Sequence, residues 1–175
     1  VRKSLDAHGW ANFIKPFDAL RLVSDYKNAQ LPDSLRQIIP KVLHPKPADS
    51  MTVQLAEAYD FLLGVNHAID FDDCILRVVE QMNKDEDLRR DLAKQFQYIM
   101  VDEYQDTNFL QLSLVYQLSQ DHRNICVVGD DDQSIYSWRG AVAENINLFE
   151  RLFPEVTLVK LEQNYRCSSN ILSAA

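Results

Sequence analysis

Glycine is scarce in this chain, with four residues in 175, at positions 9, 64, 129 and 140. None of them opens a G-x-x-x-x-G-K-[ST] segment, so the chain carries no glycine loop of the kind whose backbone N–H groups cradle phosphates. Cysteine is equally thin. Cys74, Cys126 and Cys167 are far apart, odd in number and without CxxC or Cys/His metal spacing,. They read as buried or incidental reduced thiols, which predicts a cytoplasmic protein. No apolar run reaches the roughly 18 residues needed to cross a bilayer, and the opening Val1-Arg-Lys-Ser-Leu-Asp-Ala-His8 carries no signal peptide,. No internal repeat or low-complexity tract is visible. A basic excess is missing too: 18 Lys and Arg stand against 26 Asp and Glu, a net charge of −8. That balance argues against a surface that binds nucleic acid mainly by neutralising phosphates. Any such site must be local, or completed by other segments.

What is present suffices for one substantial domain or two incomplete ones. Hydrophobic residues make up 46% of the chain and charged residues 25%, as in ordinary globular proteins. The first 95 or so residues read as helical. Phe13, Phe17, Leu20 and Val23 recur at helical spacing, and prolines 32, 40, 45 and 47 punctuate the stretch after them,. A helix is predicted from Asp49 or Ser50, with Leu55, Tyr59, Leu62 and Leu63 on one face. Another is predicted after Asp72 and Asp73, with Phe71, Ile75, Val78, Val79 and Met82 as its apolar face.

The texture then changes. Tyr98–Val101, Ile125–Val128 and Val156–Leu161 are short apolar runs. Between and after them come helices over Asn108–Leu118, capped by Thr107, over Glu144–Phe153, closed by Pro154, and from Ser168 or Ser169. Short β-rich runs separated by helices predict a parallel sheet with helical crossovers. Strands buried on both faces read as continuous hydrophobic runs. In such sheets ligands bind at the carboxyl ends of the strands, and there the sequence places three unusual polar clusters.

The first is Val101-Asp-Glu-Tyr-Gln-Asp-Thr107. One carboxylate after a buried strand can hold Mg²⁺ together with substrate phosphates, and the next can deprotonate an attacking water. Acidic residues also follow strands simply to cap helices. The second is Val128-Gly-Asp-Asp-Asp-Gln-Ser-Ile-Tyr-Ser-Trp-Arg-Gly-Ala141. Gly129 permits a tight turn, Gln133 can sense a phosphate oxygen or a water, and Arg139 can pair with a carboxylate or phosphate. Tyr136 and Trp138 can stack on bases, worth roughly 1–3 kcal/mol each, or fill the core beneath a loop. The third is Leu161-Glu-Gln-Asn-Tyr-Arg166. Here Tyr165 can stack on a base while Arg166 reaches a γ-phosphate. Taken alone, it also reads as a surface ion pair beside a half-buried tyrosine.

Together the three clusters, in this order, resemble the UvrD/Rep-type DNA helicases of superfamily one. Asp70-Phe-Asp-Asp73 resembles the acidic stretch that precedes the second half of that family's motor domain. The resemblance spans about residues 66–175, and the earlier part takes the position of the family's helical insertion domain. It implies an α/β fold: a partial RecA-like motor domain with a parallel sheet over residues 84–175, plus a mostly helical portion over 1–83. It implies ATP and Mg²⁺ as cofactors. Its implied partners are single-stranded DNA and duplex junctions, with no membrane and no named protein.

Position by position, the resemblance implies that Asp102 holds Mg²⁺, Glu103 is the base for ATP hydrolysis and Gln133 senses the γ-phosphate. Tyr136 and Trp138 stack against DNA bases, and Arg139 links that loop to Glu103. Tyr165 stacks on adenine, and Arg166 stabilises the transferring phosphoryl group. Gln133 and Trp138 lie five positions apart in one segment, so a phosphate and a base would bias the same loop. The absent glycine loop implies a cut from a longer protein, inactive by itself. Two rivals are a metal-dependent nuclease and an ATPase-dead interaction module. The first lacks a catalytic Lys near Asp102, and the intact Asp102, Glu103, Gln133 and Arg166 argue against the second.

Overall fold

The computed structural model describes residues 1–41, 44–133 and 145–174. Six helices come first: α1 (Arg2–Ala7), α2 (Pro16–Asn28), α3 (Asp33–Ile38), α4 (Ser50–Val65), α5 (Phe71–Lys84) and α6 (Glu86–Ala93). Strand β1 (Ile99–Val101), helix α7 (Phe109–Ser119) and strand β2 (Ile125–Val127) come next, then α8 (Asn145–Leu152) and α9 (Ser169–Leu172). The two strands are parallel, with Ile99 opposite Ile125 and Val101 opposite Val127. With α7 as the crossover they form one βαβ unit. This is the predicted α/β class with a largely helical front portion.

Local chemistry sets the helix boundaries. Pro16 stands at the first position of α2, where its missing N–H costs nothing. Asp49 caps α4 by accepting from the Thr52 N–H at 2.7 Å, as expected. Helix α5 starts earlier than expected. Asp70 is its cap, accepting from the Asp73 N–H at 2.8 Å, and the Asp73 carboxylate answers the Asp70 N–H. The cap of α7 is Asn108, paired reciprocally with Gln111. The Thr107 hydroxyl instead donates to the Tyr104 carbonyl at 2.7 Å.

Several predicted faces point elsewhere. On α5 the buried residues are Asp73, Leu76, Val79 and Met82, while Phe71 is 95% exposed and Val78 is also exposed. On α2 they are Ala19, Val23 and Lys27, leaving Phe17 and Leu20 exposed, as is Phe13 ahead of the helix. A buried ion cluster rotates both helices away from their most hydrophobic stripe. The Lys27 ammonium, 1% exposed, donates to Asp70 and Asp73 at 2.9 Å each and pairs with Asp60 at 2.9 Å. It also lies 5.1 Å from the centre of the Tyr59 ring, within cation–π range. Burial pulls the Lys27 pKa down, but hydrogen bonds to Asp60, Asp73 and Asp70 outweigh it and hold it above the ordinary lysine value. One side chain of α2 therefore joins α4 and the start of α5. The acidic stretch Asp70–Asp73 is half cap and half clamp.

Three cores result. Leu5, Ala19, Val23, Leu55 and Ala56 bind the first helices together. Leu76, Val79 and Leu110 seal α5 on α7. The largest cluster joins Leu31, Leu35 and Ile39 to Tyr104, Leu112, Leu148, Phe149, Leu152 and Phe153, with Val101, Ile125 and Val127 packed against it. Segment 31–39 thus shares the core of the sheet. Arg89 is buried at the far end of α7, where it bonds Glu86, Asp121 and the Gln117 carbonyl. There a cation also meets the negative end of the helix dipole.

Two expectations about the sheet fail. The run Val156–Leu161 forms no strand and stays exposed, pairing with neither β1 nor β2 of the two-stranded sheet. The sheet is also not buried on both faces: Met100 is 77% exposed and Cys126 is exposed. The core covers only the face carrying Val101, Ile125 and Val127. All three cysteines are free and exposed rather than buried.

Replacing Lys27 by Met leaves three carboxylates converging on an apolar group. Losing one partner of a buried pair costs about 3–5 kcal/mol, and partial exposure of Asp60 puts the expected loss at the low end. A fall in the urea midpoint of this chain measures it; an unchanged midpoint refutes the clamp.

Candidate nucleotide site at the strand ends

The backbone ladder continues past the two strands. The Val128 N–H donates to the Val101 carbonyl at 2.8 Å, and the Tyr104 N–H donates to the Val128 carbonyl at 2.9 Å. This stitching brings the first two polar clusters side by side at the carboxyl ends of β1 and β2. Tyr104 anchors the arrangement from below. Its ring is buried edge-on against Phe149 at 5.6 Å, and burial pushes its phenol pKa well up.

Asp102 and Glu103 are both exposed at the rim. Asp102 Oδ1 accepts from the Glu103 N–H at 3.0 Å. Glu103 has φ 50° and ψ 42°, a left-handed conformation that costs a non-glycine residue about 1–3 kcal/mol. Such strain persists only where neighbours over-determine it, and here they do. The next residue is locked into the ladder at Tyr104. Two residues on, the Gln105 side chain returns to donate to Glu103 Oε2 at 2.7 Å.

Gln105 is 3% exposed and works in both directions. Its carbonyl oxygen accepts from the Asp130 N–H at 3.0 Å. Asp130 in turn shapes the 3₁₀ turn Asp131–Gln133. Its carboxylate accepts from the Asp132 N–H at 3.0 Å and from Gln133 Nε2 at 2.6 Å. One path of hydrogen bonds therefore runs Glu103, Gln105, Asp130, Gln133. A second path reaches this loop from the front helices. Asn108 donates to Asn28 Oδ1 at 2.7 Å, and Asn28 donates to Asp72 at 2.9 Å.

Gly129 is needed here for close approach. Gly9 is the glycine with positive φ among the described residues, so a left-handed turn does not require Gly129. A Cβ at 129 would lie 2.7 Å from Gln105 Oε1 and 3.3 Å from the Gln105 backbone N. The glycine makes room for the amide bridge.

Of the sequence-derived candidates, the structure brings together Asp102, Glu103 and Gln133. Tyr136, Trp138 and Arg139 lie outside the described residues. Tyr165 is 92% exposed, and Arg166 is exposed with it. Their turn is shaped by Asn164 Oδ1, which accepts from the N–H groups of Arg166 and Cys167 at 2.9 Å each. Neither residue bonds Asp102, Glu103 or Gln133 among the described residues, in keeping with the unpaired run before them. Gln105, Asn28 and Lys27 carry no mark in the sequence. A buried amide two residues after a carboxylate pair has no periodicity that would single it out.

This geometry places a carboxylate pair and the Gln133 amide just beyond the carboxyl ends of two adjacent parallel strands. The model of the UvrD/REP helicase N-terminal domain matches residues 4–154. The chain belongs to the UvrD/Rep helicase family. Among curated UvrD/Rep-type relatives, it is 46% identical over 125 residues to the ATP-dependent DNA helicase PcrA of Staphylococcus epidermidis RP62A. It has the same identity over the same length to PcrA of Staphylococcus aureus Mu50. Each match covers 71% of this chain and 17% of the relative, so the chain spans about a sixth of the proteins it matches. Among the described residues, no helix is long and apolar enough to cross a membrane.

Gly129→Ala is expected to destabilise the chain by about 1–2 kcal/mol, the usual cost of an extra methyl in a tight site. Denaturant unfolding reads it, and a midpoint equal to that of the parent chain contradicts the close approach.

Proposed function

We propose that this chain is part of the ATP-hydrolysing motor of a DNA helicase that moves along single-stranded DNA and opens duplex junctions. The observation that carries the reading is the path from Glu103 through Gln105 and Asp130 to Gln133 at two parallel strand ends. It links, through hydrogen bonds, the residue this reading makes the base for water to the residue it makes the phosphate sensor. Family membership and the likeness to PcrA support ATP as fuel and DNA as substrate.

In this reading Glu103 takes the proton from the attacking water. Asp102 holds Mg²⁺, and the residues fit that role. An exposed carboxylate at a strand end, with Oδ1 engaged by the Glu103 N–H, still offers Oδ2 to an ion bound mainly by phosphates and water. The ion would neutralise charge on the phosphates. Gln133 reads the γ-phosphate. Tyr136 and Trp138 stack on bases, and Arg139 ties their loop to Glu103. Tyr165 stacks on adenine and Arg166 reaches the phosphoryl group. The front helices over 1–83 are the insertion portion and 84–175 the motor half, joined where Leu31, Leu35 and Ile39 enter the motor core.

DNA-stimulated ATPase of the full-length protein tests this. Glu103→Gln is expected to lower kcat about 10²- to 10⁴-fold with nucleotide binding retained. The isolated chain, which has no phosphate-cradling loop, is expected to turn over negligibly. Parental turnover in the Glu103→Gln protein would overturn the reading.

A further inference from the structure

Gln105 combines three properties that a surface amide lacks. It is almost wholly buried. Both ends of its amide are engaged, by Glu103 Oε2 at 2.7 Å and the Asp130 N–H at 3.0 Å. A glycine opposite leaves it room, since a Cβ at 129 would sit 2.7 Å from its oxygen. The partners fix the amide orientation, because a carboxylate can accept only from the NH₂ and a backbone N–H can donate only to the oxygen. We propose that Gln105 is the positioning residue for the base: it holds Glu103 Oε2 so that Oε1 faces the water, and it ties that aim to the backbone that carries Gln133. This rests on the reading of Glu103 as the base of ATP hydrolysis.

The chemistry favours an amide at this place. A hydrogen bond to an ionised oxygen is short and strong, and it occupies one lone-pair face without supplying a proton that would quench the base. A lysine or arginine would neutralise the carboxylate more fully. A second carboxylate would repel it and drive the pair to share a proton. The bridge also connects two loops. A shift of Asp130 with the phosphate-sensing turn moves the amide oxygen, and through the same planar group it moves the NH₂ that steers Glu103. Base alignment thereby depends on the neighbouring loop, without a direct hydrogen bond between Glu103 and Gln133 among the described residues.

The full-length protein carrying Gln105→Glu separates this role from mere packing. That variant keeps the shape and the acceptor for Asp130 but, when ionised, cannot donate to Glu103. DNA-stimulated kcat at about pH 8 should fall about 10- to 100-fold, the usual cost of losing a supporting hydrogen bond. KM for ATP should stay near its parental value, while the melting temperature should fall, because the new carboxylate is buried beside Glu103,. Gln105→Leu, which removes the donor without adding a charge, should show a comparable fall in kcat with KM little changed. Glu103→Gln is measured alongside. If it is inactive while Gln105→Glu keeps parental kcat, or loses kcat only with a matching rise in KM, the positioning role is overturned and the base reading stands. If Glu103→Gln retains full turnover, the base reading falls and this role falls with it.

Discussion

A single ammonium group organises the front of the molecule. Lys27 sits where α2, α4 and α5 meet, and it cannot be buried without the carboxylates around it. Nor can Asp73, which is equally buried, lie there without Lys27. Desolvating such charges costs several kcal/mol per ion, and mutual attraction offsets this only when the geometry is good and the remaining lone pairs are satisfied. Here Asp70 and Asp73 meet that condition by capping α5 and by holding the lysine at once. The arrangement leaves few alternatives. Rotating α2 or α5 to bury Phe17 or Phe71 would strand the charges. Exposed phenylalanines are the lesser penalty, since apolar surface is commonplace on folded proteins and an unpaired buried charge is not.

The clamp also reaches the strand ends. Asn28, beside Lys27, bridges Asp72 on α5 and Asn108 at the start of α7. Asn108 closes the loop that carries Asp102 and Glu103. Hydrogen bonds through Asn28 therefore tie the helical portion to the start of α7, just after the polar rim. In that rim Glu103 is held left-handed. Strain of that kind is characteristic of positions where a side chain must be aimed rather than merely accommodated.

The legible parts of this chain were those governed by local rules. The positions of β1 and β2 came from continuous apolar runs, the α4 cap from Asp49, and the Asp102-Glu103 pair from its place after a strand. Parallel pairing came from the intervening helix. Less legible were the faces, because hydrophobic spacing on α2 and α5 does not register a lysine seeking carboxylates 33 to 46 positions away. The unpaired run at 156–161 shows the same limit. β-rich composition gives a segment the capacity to join a sheet, while tertiary context decides whether it does. Cys126 reads as buried within an apolar run, yet the open face of the sheet leaves it exposed.

By itself the sequence determined the family, the α/β class, the order of the polar clusters and the identity of the carboxylate pair. Each depends on residue type and short-range spacing, which the chain carries wherever it folds. Only the tertiary structure decided that Gln105 links Glu103 to the Gln133 turn, that Gly129 serves close approach rather than a left-handed turn, and that Asp70 to Asp73 acts as cap and clamp. These are matters of distance between segments far apart in the chain. They are settled by where buried polar groups find partners, a requirement that no window of sequence contains.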